Sequence, residues 1–457
     1  MQEAACWLRR GVWAVSPGRK CHVSRWLPSV DDAPGLQGLF KNKQCRILSG
    51  AIGISLLGGT MERKYLSDTC ADHQCLERYL EQGKFGKLPD EDLHKIQHDN
   101  GKTALVFDEM KRRNAGLMKL DTENTAAEVV RIMAELVLPT RYDSPWGYQA
   151  ISSLLLTLKQ TAEELELDTA EFPLHATVPT GQVNAMAVNL PCSTKTFLLF
   201  DPQLLTFCNL IAKLYAQCLT PNERFRSGDV SILHAVVGGS PEIAERLKGV
   251  LEAFVKTGRP GTSSPFTVDT GSIRLSSRFR TGMELFVVGH EFGHVYSGHL
   301  SKLLSRLHMI APNFGQSDSH RKEYEADYLG LILTVCALRK EGWELWEILG
   351  SIKLFFSSLD LASRYADFKS YGARRKFVST ESATHPSNES RRQAIDRAIE
   401  SFSVEAEDIR MVEQFDSLID ETTNLLWQAI SSKTSKVGGN DLCPCGSEKK
   451  YKKCCRK

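Results

Sequence analysis

The sequence predicts an α+β chain that is mainly helical, with one small sheet and a tethered, cysteine-rich tail. Three observations predict it. Apolar residues recur at helical spacing through most of the chain. The stretch His175 to Phe200 instead alternates β-branched residues with turn formers. Four of the thirteen cysteines crowd the last fifteen residues.

At 457 residues, 42% hydrophobic and 25% charged, the chain has material for two or three domains with sizeable cores. A formal net charge of +2 gives no global attraction to nucleic acid or membrane, so no DNA partner is expected. No stretch reaches the ~18 apolar residues of a membrane-spanning helix. Residues 1–60 read as a basic extension, either a targeting arm or disordered chain, with Arg9, Arg10, Arg19, Lys20 and Arg25 against Glu3 alone in the first thirty. The apolar run Ile47 to Leu57 starts too late for a signal peptide. The single, scattered cysteines do not form a disulfide framework. A reducing, cytoplasmic setting is the expectation.

From Met61 to Leu138 the pattern is mostly helical, clearest in Thr125 to Leu138, and Pro139 closes it. This makes 61–140 a helical N-terminal region. Residues 150–167 read as another helix, and His175 to Phe200 as a hairpin or small sheet. The main domain is placed at 141–400, with Pro221 to Arg280 set apart as an insertion of unknown role. A closing helix, Asp408 to Ile430, occupies most of 401–430. The Ser/Thr/Lys/Gly run Ser431 to Asn440 reads as a linker (431–441), followed by the tail at 442–457.

The chemistry concentrates in Met283 to Leu304, a helix carrying His290-Glu291-Phe292-Gly293-His294. One turn separates the two histidines, so both imidazoles can meet one ion, and Glu291 lies beside them as general base for a water. His299 is excluded from the same ion, because it lies about 180° and about 140° around the helix from the two histidines. A catalytic zinc needs a third protein ligand and an open position. Glu323-Tyr324-Glu325-Ala326-Asp327 supplies candidates on a second helix, where Glu323 and Asp327 share a face. The economical assignment makes Glu323 the ligand and Asp327 an acceptor from a ligating histidine.

HEFGH paired with EYEAD resembles the gluzincin (zincin-like) metallopeptidases of the HtpX and CAAX prenyl endopeptidase type. Thr384-His385-Pro386 followed by Arg391 is similar to that family's His-Pro…Arg element. Val183-Asn184-Ala185-Met186-Ala187 is similar to its edge strand. The resemblance covers roughly residues 140 to 400. It implies a zinc-dependent endopeptidase acting on protein or peptide substrates, with zinc on His290, His294 and Glu323 and with Glu291 as base. His385 would stabilise the oxyanion, Arg391 would be a catalytic residue beside it, and Asn184, Ala185 and Met186 would accept substrate backbone by strand addition. Two departures stand out. About one hundred residues separate the strand from HEFGH, and the membrane helices of the namesake enzymes are missing from this sequence.

Cys443, Cys445, Cys454 and Cys455 form two close pairs that can wrap one tetrahedral ion, with all four positions filled by thiolate. That zinc would be structural. The tail resembles the SEC-C motif, a zinc knuckle found at the C-terminus of SecA and fused to many other bacterial proteins. The surrounding lysines suggest an acidic protein or ribosomal RNA partner, or a solvated basic tail. The rival to the enzyme reading is therefore a catalytically latent fold acting as an adaptor through this tail. Cys70, His73, Cys75, His94 and His98 match no common ligand pattern and read as ordinary helix-surface and core residues.

Overall fold

The computed structural model describes residues 64–83, 135–167, 169–180, 185–220, 231–296, 318–371, 382, 385–400, 404–434, 440 and 449–454. The described chain is mainly helical with one three-stranded sheet. In chain order the elements are α1 (Ala71–Gln82), α2 (Pro145–Glu164), β1 (Leu174–Thr177), β2 (Ala185–Asn189), β3 (Thr196–Phe200), α3 (Pro202–Leu219), α4 (Ser231–Gly239), α5 (Pro241–Thr257), α6 (Ser272–Tyr296), α7 (Asp318–Lys340), α8 (Leu345–Tyr371), α9 (Asn388–Glu400) and α10 (Ala406–Thr434). Among the described residues, no helix is long and apolar enough to cross a membrane. The residues divide into two compact units: Met1–Leu205 with Glu284–His299 and Leu329–Glu341, and Thr206–Met283 with Leu300–Tyr328 and Gly342–Lys457.

The first unit is built on the sheet, ordered β1-β3-β2, with β1 parallel and β2 antiparallel to β3. The expected hairpin or small sheet is a small mixed sheet whose β2–β3 half is antiparallel. Period-two alternation assigns the faces. Ala176, Phe197 and Leu199, with Leu174, Met186 and Val188 at the margin, pack with Cys75, Leu76 and Leu80 of α1. On the opposite face His175 stacks on Tyr148 of α2, ring centroids 4.9 Å apart, and its Nε2 lies 2.7 Å from Ser152 Oγ. Buried from water, the His175 imidazole has its pKa pushed down to about 4.

Helix α2 starts five residues before the expected 150 because Ser144 caps it, accepting from the Gly147 N–H, and Pro145 sits in the first turn. Just upstream, Asp143 fastens the chain to β1. It accepts from the N–H and hydroxyl of both Thr140 and Thr177. Leu138, expected at a helix end, instead forms a parallel bridge with Tyr65. The segment 84–134, with most of the Thr125 to Leu138 periodicity and both His94 and His98, lies outside the described residues.

The reading of Cys75 as an ordinary helix-surface or core residue needs correction. Cys75 of α1 and Cys192 in the β2–β3 turn form a disulfide spanning 117 residues, Cα atoms 5.8 Å apart. Spacing cannot reveal such a pair, because only the folded sheet brings the turn to the helix. Ser193 Oγ, donating to Asp72 at 2.7 Å, fastens the same turn. His73 is buried edge-on to Phe197, a core role as expected.

In the second unit α8, α9 and α10 form a layer. Phe415 of α10 packs so closely on Gly350 of α8 that a Cβ there would lie 2.3 Å from its ring. Further along, Arg364 stacks over Trp427 at 4.3 Å. Both contacts advance in the same direction, so α8 and α10 run parallel. Helix α9 runs back along α8, its Asn388 amide donating to Asp360, and its Arg392 pairs with Asp420 of α10. Helices occupy most of the described part of the segment set apart as an insertion. Residues 231–257 form α4 and α5, and residues from Ser272 onward already belong to α6. Helix α10 also runs to Thr434, so the first residues of the expected linker are helical.

Candidate metal centre

Helices α6 and α7 carry the expected ligands. Within the first unit they meet at a glycine pair. A Cβ on Gly330 would lie 2.9 Å from the His290 backbone N, and one on Gly289 would lie 3.2 Å from the Gly330 Cα. Glycine in a helix interior costs about 1 kcal/mol relative to alanine, so two facing ones need a packing reason. Close backbone approach is that reason. Glu323 stands seven residues before Gly330, two turns along the same face of a continuous helix.

On α6, His290 and His294 lie one turn apart with ring centroids 4.6 Å apart and nearly perpendicular planes. Their Nε2 atoms are 3.1 Å apart. Two nitrogens on one tetrahedral zinc at 2.0–2.1 Å are separated by about 3.3 Å. The pair therefore fits a shared ion with little adjustment. Among the described residues one group has metal-ligand composition and closeness: one donor atom each of His290, His294 and Glu323, all within 4.8 Å of one another. Glu291 is 7% exposed and His290 8%, so the base candidate sits in a largely dehydrated setting. Phe292 points to the opposite side, tilted against Phe172 at 5.5 Å, and anchors the helix in the core. Helix α6 is described only to Tyr296, so His299 lies outside the described residues.

Glu323 has its surroundings supplied by α9 and the turn before it. His385 Nε2 lies 3.6 Å from Glu323 Oε1, on a side chain 61% exposed. Arg391 Nη1 lies 3.8 Å from Glu323 Oε2. The same guanidinium holds Asp327 with two parallel bonds, Nε to Oδ2 at 2.7 Å and Nη2 to Oδ1 at 2.6 Å, and covers the Phe356 ring at 4.9 Å. Such a two-point grip fixes orientation as well as charge. Asp327 is 2% exposed and takes this arginine as partner, which the expected histidine contact did not anticipate. Arg391 is accordingly a positioning residue for the α7 carboxylates. The local sequence explains its place. Ser387 caps α9, its Oγ accepting from the Ser390 N–H, which sets Arg391 in the first turn. Ser382 holds the preceding turn, its Oγ accepting from the His385 N–H and its carbonyl 2.8 Å from His320 Nε2.

Other expected residues are distributed differently. Ala185 and Met186 begin β2, an outer strand of the sheet, while Asn184 lies outside the described residues. The Met186 side chain packs toward the α1 core, so only its backbone is suited to strand addition. Of the tail cysteines Cys454 is described, beside the short 3₁₀ turn Tyr451–Lys453; Cys443, Cys445 and Cys455 lie outside the described residues. Sequence reasoning missed Gly289 and Gly330, whose only signal was their place inside helical patterns.

Comparison with known proteins reaches a small part of the chain. Protein translocase subunit SecA of Lawsonia intracellularis is 54% identical over 44 residues, which is 8% of this chain and 5% of that protein. SecA of a Geobacter species is 46% identical over 59 residues, 13% of this chain and 6% of that protein. The chain thus spans only about one-twentieth of the length of these curated relatives. No solved structure matches. Residues 440–457 match the family model of the SEC-C motif, and the chain's C-terminus carries that motif.

Proposed function

We propose that this protein is a zinc-dependent endopeptidase of the gluzincin type, with an HtpX-like arrangement of site residues, hydrolysing peptide bonds of protein substrates. The observation that carries the reading is the grouping of His290, His294 and Glu323 donors with the buried Glu291 beside them. A pure scaffold has no physical need for a carboxylate in that position.

His290, His294 and Glu323 would hold the ion, and zinc bound there supplies Lewis-acid polarisation for attack on a carbonyl. Glu291 takes the proton of the attacking water and returns it to the departing amine. The exposed His385 donates to the developing oxyanion, an effect of a few kcal/mol in comparable sites (~3). Arg391, gripping Asp327 and reaching Glu323, keeps the carboxylate oriented. The outer strand β2 offers backbone to an extended substrate. In the tail, Cys443, Cys445, Cys454 and Cys455 would hold a second, structural zinc. We place the protein in the cytoplasm.

The test is metal content and casein cleavage by the full chain beside Glu291→Gln. The expected result is unchanged zinc in the variant and at least a hundredfold loss of cleavage. A metal-loaded Gln variant that still cleaves would sink the assignment. The SEC-C match favours a second reading, an adaptor recruiting an acidic protein or ribosomal partner through its lysine-rich tail. Two bound zincs with no cleavage by the wild type supports that reading instead.

A further inference from the structure

Helices α8, α9 and α10 enclose a cavity of about 250 Å³ that is separate from the metal ligands and lined mostly by polar side chains. Along α8, Ser357, Asp360 and Arg364 recur at helical spacing on one face. Asp420 and Asn424 do the same on α10, and Arg392 enters from α9.

Some of these groups are already committed. Arg392 donates to Asp420 Oδ1 at 3.0 Å, and Asp360 Oδ1 accepts from Asn388 at 3.0 Å. Others are not. Arg364 stacks its guanidinium over Trp427 and, among the described residues, has no carboxylate within ion-pair distance. Burial alone acts on it, lowering its pKa with no neighbouring carboxylate to offset the effect. A half-buried guanidinium without a counter-ion is costly in an empty fold and favourable once an anion arrives. The Ser357 hydroxyl is buried, with no hydrogen-bond partner among the described residues. The Asn424 amide at the rim likewise has none there, and the second oxygen of Asp420 is uncommitted.

We propose that this cavity binds a small zwitterion bearing a carboxylate and an ammonium group, a free amino acid or a very short peptide. The carboxylate is received by Arg364, with the Ser357 hydroxyl and the Asn424 amide as further donors. The ammonium faces Asp420 and Asp360. The two lining carboxylates repel a dianion, which disfavours phosphate as occupant. The volume suits a single amino acid better than an extended chain. The stacked Trp427 gives the arginine a fixed plane, and a fixed plane is what two-point recognition of a carboxylate needs.

Isothermal titration of the full-length protein tests this with L-leucine, its two halves acetate and methylammonium, and inorganic phosphate. Leucine is expected to bind at least tenfold more tightly than acetate, methylammonium or phosphate. Arg364→Met, which keeps an apolar stem on Trp427, should weaken leucine at least tenfold. Asn424→Leu, at an exposed rim position, should weaken it several-fold without affecting folding. Glu291→Gln should leave leucine binding unchanged, which separates this cavity from the proposed catalytic centre. If that variant loses leucine binding, the ligand sits elsewhere and the proposal fails. It also fails if leucine does not bind, if acetate or phosphate binds as tightly as leucine, or if both cavity variants retain wild-type affinity.

Discussion

Asp143 shows how one side chain can fasten a unit together and make its stability depend on pH. It is fully buried beneath four donors, two of them backbone N–H groups that have to be satisfied. Burial is the larger influence and pushes its carboxyl up to about 7, while the donors pull the other way. The sign follows from linkage. A carboxyl whose folded pKa lies above its unfolded value gives stability that is fully present below about pH 4. That stability is lost as pH rises through 7. Asp143→Ala should therefore cost about 3 kcal/mol at pH 5, because it strands donors in the interior. It should also flatten the pH dependence between 4 and 7 that this shift leads us to expect of the wild type. Urea unfolding at pH 4, 5.5, 7 and 8 measures both, and an equal slope in wild type and variant would remove Asp143 as its source. At this scale the sequence is legible where chemistry demands a residue type. His290, His294 and Glu323, which the structure brings together, were named from residue type and helical spacing. Asp143 and the Arg391–Asp327 grip were not, because their partners lie 34 and 64 residues away.

Two glycines decide how closely α6 and α7 approach each other, and a third provides the comparison. Gly330→Ala would set a methyl group 2.9 Å from the His290 backbone N, too near for any rotamer to relieve. The helices must part by some tenths of an ångström, at a cost of about 1–3 kcal/mol. Because His290 lies at the contact, zinc content should fall with it if His290 holds the proposed ion. Gly249 sits inside α5 with nothing within 4 Å of a built Cβ. There alanine should stabilise by up to about 1 kcal/mol through helix propensity. Chemical denaturation and zinc assay of both variants make the contrast, and a stabilised, fully metallated Gly330→Ala would refute the close-crossing account. Elements with strong periodicity were found near their true positions, as α2 and α10 show. The errors lay at ends and pairings. Ser144-Pro145 starts α2 earlier than its apolar pattern does, and β1 joins β3 in parallel through a connection that alternation alone cannot reveal.

At the scale of the whole chain, two compact units share the described residues, and the cysteine chemistry is unequally divided between them. Cys75–Cys192 lies wholly in the first unit, where it closes 117 residues and ties the β2–β3 turn to α1. Constraining the unfolded chain over a loop of that length is worth about 3–5 kcal/mol in the chain-entropy account. The second unit holds Cys208 and Cys218 buried as thiols, the latter pushed up to about 12 by burial and therefore unreactive. Among the described residues, the bond a reductant can break therefore lies in the first unit. Calorimetry of the full chain with and without dithiothreitol should show one transition moving down by several degrees while the other stays. The Cys192→Ser variant should place the moved transition at the same temperature without reductant. Two transitions displaced equally, or none, would show that the bond does not carry the first unit's stability. Because β2 is the outer strand proposed to receive substrate, the same reduction loosens the turn that ends it. If the proposed peptidase activity holds, cleavage of an extended peptide should then weaken through a raised KM at constant kcat, since Glu291 and the proposed metal ligands stand on helices that the disulfide does not touch.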